Sequence, residues 1–180
     1  MQSRSARDRE FAEFFEHRFD LACRYAYALC GDRAESEEIA QAAFVRIYAR
    51  WPKVRTATAD AYLRTVVTRL FLDNRRRGRS RERVMAEPPE VAVAADLTEV
   101  ERQPLHAALL ELPPRQRAVV LLRFGYDLSI EQVAKALGCS VGTVKSHASR
   151  GLEALRERYQ GLFGELELKA VSRPCSTTTS

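Results

Sequence analysis

In the stretch LSIEQVAKALGCSVGTVKSHASRGL, residues 128–152, small polar and basic side chains recur on one side of a helical pattern. Ser140, Thr143, Lys145, Ser146, Ser149 and Arg150 supply donors of two kinds. Lys and Arg donate to guanine edges or to phosphate, and short hydroxyl side chains reach either. A helix that met only its own core would be apolar there, so the arc is expected to face an outside partner, and this donor set suits a DNA groove. Gly142 would let the start of that helix come close to a DNA backbone.

Elements that can hold such an arc are legible around it. Ser129 stands three residues before Gln132, the capping-box spacing that starts a helix. Val133, Ala134 and Leu137 face inward, small Ala134 admits a close neighbour, and Gly138 supplies a tight turn. Ser140 caps the following helix, with Val141, Val144 and Leu152 directed to the core. A small residue, a Gly four later and an apolar residue six after that make a helix-turn-helix, whose second helix enters the major groove. A helical hairpin with no DNA role is the competing reading. His147 shares the arc without a neighbouring ligand and reads as a bystander.

Elsewhere apolar positions recur with helical spacing and alternating β-branched runs are nearly absent, so the chain is expected to be all-α. A first helix is predicted from Arg7 to Cys30, with Phe11, Phe14, Phe15, Phe19, Ala22, Ala26 and Leu29 inward and Gly31-Asp32 ending it. A second begins near Ser36 and stops at Trp51-Pro52, because proline disfavours helical geometry before it. A third runs from Ala59 to Arg77, burying Leu63, Val66, Val67, Leu70 and Phe71, and is cut by Gly78. Further helices are predicted from Leu97 to Leu110 and from Pro113-Pro114 to Phe124. The expected architecture is two small helical domains, residues 1–80 and 97–163, joined by a flexible acidic linker over 81–96 and followed by a polar tail over 164–180.

The net charge of +5, from 29 Lys and Arg against 24 Asp and Glu, is unevenly placed. Residues 69–83 hold seven Arg against Asp73 and Glu82, whereas residues 84–101 hold five acids and neither Lys nor Arg. Such a basic helix end suits phosphate, and a solvated basic face explains Arg79, Arg81 and Arg83 equally well. Cys23 and Cys30 lie seven residues apart, about 10 Å along a helix, too far for the ~5.5 Å Cα separation of a disulfide. The four cysteines, at 23, 30, 139 and 175, read as structural thiols.

Enzyme chemistry has little to rest on. Three His are scattered at 17, 106 and 147, with no Gly-rich phosphate loop, metal-ligand cluster or Ser-His-Asp set. Neither a cofactor nor a metal is expected. The N-terminus MQSRSARDRE has no apolar core and no run approaches the roughly 18 apolar residues of a span, so a soluble, cytoplasmic protein without membrane insertion is expected.

Four segments, in order, resemble one family. DLSIEQVAKALGCSVGTVKSHASRGLEALR is similar to region 4.2 of bacterial sigma factors of the extracytoplasmic-function (ECF) type, and LPPRQRAVVLLRFGYD to their region 4.1. SEEIAQAAFVRIYARW resembles region 2.2, and DAYLRTVVTRLFLDNRRR the region 2.3 to 2.4 helix, with a flavour most similar to the actinobacterial SigE-like branch. The resemblance implies a protein that binds core RNA polymerase through its β′ and β subunits, directs it to promoter DNA and opens the duplex. It places β′ docking at Glu38, Gln41 and Phe44, although Ala42 stands where relatives carry an acid. It places minus-ten recognition and melting at Lys53, Arg55, Tyr62, Arg69, Asp73, Arg75 and Arg76, with Arg69 where many relatives have Asn. Trp51 could stack on an unpaired base and reads more simply as packed. The minus-thirty-five element falls to Ser140, Thr143, Lys145, Ser146, Ser149 and Arg150. Many relatives are held inactive by an anti-sigma protein clamped between the two domains, a further candidate partner. The rival reading is a stand-alone helix-turn-helix regulator. A receiver-type front half would need strands and a phosphoacceptor carboxylate cluster, and residues 30–77 offer neither.

Overall fold

The computed structural model describes residues 4–54, 58–82 and 104–171, with side chains described over 5–54, 58–78 and 105–157. Every regular element among them is helical. Three helices come first, α1 (Arg4–Cys30), α2 (Arg33–Tyr48) and α3 (Ala59–Glu82), with a single 3-10 turn at Trp51–Lys53 between the last two. Four follow, α4 (Pro104–Glu111), α5 (Pro114–Val120), α6 (Ile130–Leu137) and α7 (Val141–Val171).

The first three helices pack on one another around Leu29, Ile39, Ile47, Val67 and Phe71, all at most 1% exposed. Five aromatic rings, of Phe11, Phe14, Phe15, Phe19 and Trp51, gather at the open end of α1 and α2, four of them directly around Phe44. Trp51 is buried at 5% exposure, as its packed reading expects. Leu63, Val66, Val67, Leu70 and Phe71 are buried as the spacing of α3 predicts. Between α1 and α3 the buried Tyr25 hydroxyl and Thr68 Oγ1 lie 2.6 Å apart, so neither polar group is left unsatisfied.

Three boundaries differ from the sequence expectation, each for a local reason. Helix α2 starts earlier because Asp32, extended at φ −123°, caps it by accepting the Glu35 amide at 2.7 Å. Ser36 is therefore inside the helix and buried. Gly78 does not end α3, which continues to Glu82. One Gly among helix-favouring Arg residues costs only about 1 kcal/mol. Helix α7 runs past Glu165 to Val171, where Glu, Leu, Lys and Ala are strong helix formers. The predicted start at Leu97 and most of the acidic linker lie outside the described residues.

The second group of helices is docked against the first. Leu29 and Phe71 share one apolar cluster with Ala118, Val119, Leu122, Val133 and Val144. A smaller cluster of Ala108, Leu109, Leu112, Val120 and Leu155 closes α4 onto α7. At the seam, Gly31 adopts φ +75°, and a Cβ there would sit 2.7 Å from Leu110 Cδ1. Both its left-handed backbone and the seat it gives Leu110 require glycine.

Candidate nucleic-acid interface

The helix-turn-helix is built as its spacing predicts. Ser129 Oγ accepts the Gln132 amide at 3.1 Å while Gln132 Oε1 accepts the Ser129 amide at 2.7 Å, closing the capping box. Gly138 ends α6 at φ +65°. Ser140 Oγ accepts the Thr143 amide at 3.1 Å and lies 2.9 Å from Thr143 Oγ1, so these two hydroxyls are engaged in starting α7. Lys145, Ser146, Ser149 and Arg150 are exposed on its outward arc. Val144 is fully buried beneath them, whereas Val141, expected inward, is 37% exposed at the helix start.

The direction of α7 is set by its crossing over α5. A Cβ at Gly151 would lie 2.7 Å from Val120 Cγ2, so glycine allows the two backbones to approach. His147 is half-buried rather than solvent-facing. Burial, then the charges of Arg115 and Arg150, lower its pKa from the ordinary value. The imidazole is thereby held neutral near pH 7 and adds no charge to the arc.

On α3 a second polar arc runs along one face. Tyr62, Arg69, Asp73 and Arg76 recur at helical spacing, with Arg76 Nη2 3.6 Å from Asp73 Oδ1 and largely exposed. This face borders a cleft of about 950 Å³ whose lining includes Arg50, Lys53, Tyr62, Arg69 and Lys135. No carboxylate is among the described lining residues. Arg50 and Lys135 escaped the sequence reading; only their places on the wall of the cleft reveal them. Asp60, in the first turn of α3, accepts Arg18 Nε at 2.7 Å and ties that end to α1. Arg55 lies outside the described residues.

Arg75 is not on that face. Its guanidinium donates to Glu35 Oε2 at 2.5 Å and lies over the Phe71 ring. Six residues from Arg69, it is rotated about 240° around the helix, toward the core. It is therefore engaged in joining α3 to α2 rather than presented with Arg69 and Arg76.

The α2 patch separates in the same way. Glu38 and Gln41 are exposed, and Val45, on the same face, is 70% exposed. Phe44 is 3% exposed within the aromatic cluster. It supports the face from below and presents no surface to a partner. An unpartnered Val beside two polar groups is the apolar component that the sequence reading missed.

Comparison with known proteins decides the family. Sigma-70 region 2 matches residues 14–81 and sigma-70 region 4 matches residues 102–155. The RNA polymerase sigma-E factor of Streptomyces avermitilis is 38% identical over 170 residues, covering 91% of this chain and 92% of the relative. The chain belongs to the ECF sigma factors of the sigma-70 family. The sigma-E factor of Streptomyces coelicolor is 36% identical, covering 91% of this chain and 93% of the relative. The ECF sigma factor SigL of Mycobacterium tuberculosis is 34% identical, covering 77% and 82%. The sigma factor RpoE of Bartonella quintana, crystallised with the anti-sigma factor NepR, shares the fold at TM-score 0.70 and 21% identity, covering 84% of this chain and 98% of that one. Promoter recognition and transcription initiation with RNA polymerase are the work of this sigma factor. No described helix is long and apolar enough to cross a membrane.

Proposed function

We propose that the two arcs divide the promoter between them. The face of α7 carrying Lys145, Ser146, Ser149 and Arg150 reads the minus-thirty-five element, with Ser140 and Thr143 at its entry. Arg69, Asp73 and Arg76 on α3, with Lys53, Arg55 and Tyr62 at the neighbouring loop, take the minus-ten element and its opened strand. Arg50 joins this set from the cleft. Glu38 and Gln41, with Val45 between them, form the face that docks on the polymerase β′ subunit. Residues 1–80 and 97–163 are the two functional domains, acting in the cytoplasm and without catalysis of their own.

The observation that supports this most directly is the exposed arc of α7 over a fully buried Val144. Its donors are directed away from the protein's own core. An anti-sigma protein is a further partner in this reading, in keeping with the complex in which the Bartonella RpoE fold was crystallised.

Run-off transcription with reconstituted holoenzyme on a genomic promoter pool tests the reading. The promoters that yield transcripts should share two spaced elements, and Arg150→Ala and Arg69→Ala should each relax a different one. A stand-alone regulator would neither co-elute with core polymerase nor confer initiation, and that outcome would displace the proposal.

A further inference from the structure

We propose that Arg115 on α5 grips a backbone phosphate beside the minus-thirty-five element, a contact from outside the reading helix that fixes how α7 lies in its groove. The proposal rests on the assignment of the α7 arc to that element.

The crossing of α5 over α7 puts Arg115 at the edge of the arc. A Cβ at Gly151 would meet Val120 Cγ2 at 2.7 Å and both the Cβ and the carbonyl oxygen of Gln116 at 3.7 Å. Glycine therefore seats the first turn of α5 on the α7 backbone next to Arg150. Arg115 immediately precedes Gln116, and His147 lies about one turn before Gly151 on α7. The charges of Arg115 and Arg150 both reach His147. The half-buried ring thus has a guanidinium from each helix close to it.

Nothing in the described part of the protein offsets that pair of charges. Arg115 and Arg150 are exposed, and neither forms an ion pair with a described residue. Arg117, on the same helix, and Arg123, just beyond it, are by contrast engaged with main-chain carbonyls. Like charges left close together raise the free energy of the free protein, and a polyanion relieves the repulsion.

In a helix-turn-helix complex the reading helix lies between the two phosphate walls of a major groove about 12 Å wide. A guanidinium carried by the neighbouring helix, at the rim of the arc, meets a wall rather than a base edge, and its planar fork suits two phosphate oxygens. Arg115 therefore contributes affinity and register without sequence preference.

The test uses holoenzyme reconstituted with the full chain and a promoter fragment recovered by run-off transcription. Arg115→Gln replaces an exposed side chain, so the melting temperature should hold while the fragment binds at least about fivefold more weakly at low salt. That loss should be the same on fragments with intact and with scrambled upstream elements, unlike the loss in Arg150→Ala. One phosphate contact fewer lowers the salt slope by about 0.9, so the advantage of the wild type should shrink about 3.5-fold between about 50 and 200 mM salt. Arg115→Lys should restore the salt dependence. A methylphosphonate, which removes one backbone charge, should weaken the wild type at one position flanking the element and leave Arg115→Gln indifferent there.

If Arg115→Gln binds as the wild type does, or if its loss is insensitive to salt, the phosphate contact is overturned. A wild type that no single flanking methylphosphonate weakens overturns it equally, with no variant needed. In each case a retained preference for the intact element leaves the assignment of α7 standing. If the wild type itself shows no such preference, that assignment fails, and the proposal with it.

Discussion

The guanidinium of Arg117 donates a hydrogen bond to the carbonyl oxygen of Leu29, 88 residues earlier in the chain. The same group donates to the carbonyls of Leu110 and Leu112, the latter at 3.0 Å, so one side chain caps the ends of α1 and α4 together. Burial first, and the nearby Arg75 second, lower its pKa to about 10. That value still leaves it charged at neutral pH. A buried cation is tolerated here because carbonyl oxygens replace the water it has lost.

Arg117→Met is expected to destabilise the protein by about 3 kcal/mol, since three carbonyls lose a charged donor inside the seam. Urea unfolding should show the loss as a lower midpoint. Arg117→Lys keeps the charge but not the planar fork, and should recover only a minor part. Full stability in Arg117→Lys would mean that charge, rather than the three-way geometry, matters.

Arg150→Ala should weaken binding to the upstream element by about 1–3 kcal/mol if the side chain reads a base. Core polymerase affinity should not change, because the exposed arc of α7 and the exposed face of α2 are separate surfaces. Competition between duplexes with intact and scrambled upstream elements checks the claim. Equal discrimination by both proteins would remove Arg150 from sequence reading. His147→Gln, at a group held neutral by burial, should leave the salt dependence of binding unaltered.

The helix-turn-helix was legible because capping and turn chemistry are local: Ser129, Gln132, Gly138 and Ser140 act on neighbours within a few residues. Phe44 and Arg75 were harder, since each stands beside exposed residues in sequence and only its rotation around the helix turns it inward. A helical wheel anchored on Phe71 would have placed Arg75 on the buried side. The docking of the two domains was not legible at all. It depends on pairings such as Arg69 with Ala136 and Tyr25 with Tyr126, which join residues 67 and 101 positions apart. Nothing in local periodicity encodes such pairs.

Cys30 gives a prediction in pH. Burial, as the dominant cause, raises its thiol from an ordinary 9.0 to about 11. Between those values the folded protein holds a proton that the unfolded chain has released. Its contribution to stability is therefore complete below about pH 9 and is lost as pH rises toward 11. At pH 8 the thiolate fraction should be about a hundredfold below that of a free thiol, so alkylation by iodoacetamide should be correspondingly slow. Mass spectrometry of the Cys30 peptide over time reads the rate. Labelling as fast as a free cysteine would show that the α1 end opens readily.

Glu38→Lys and Phe44→Ala separate docking from folding on the same helix. Glu38 is exposed, so reversing its charge should leave the melting temperature nearly unchanged while weakening capture of core polymerase, most clearly at low salt where charge pairing is least screened. Phe44 touches the rings of Phe11, Phe14, Phe15 and Phe19. Its truncation should cost about 3–5 kcal/mol through the cavity left behind. Any loss of polymerase binding in Phe44→Ala should then track the unfolded fraction and disappear when the comparison is made at a temperature where the variant is folded. Weak capture by a fully folded Phe44→Ala would mean that the aromatic cluster itself opens to meet the polymerase, and unchanged capture by Glu38→Lys would move the docking face away from this side of α2.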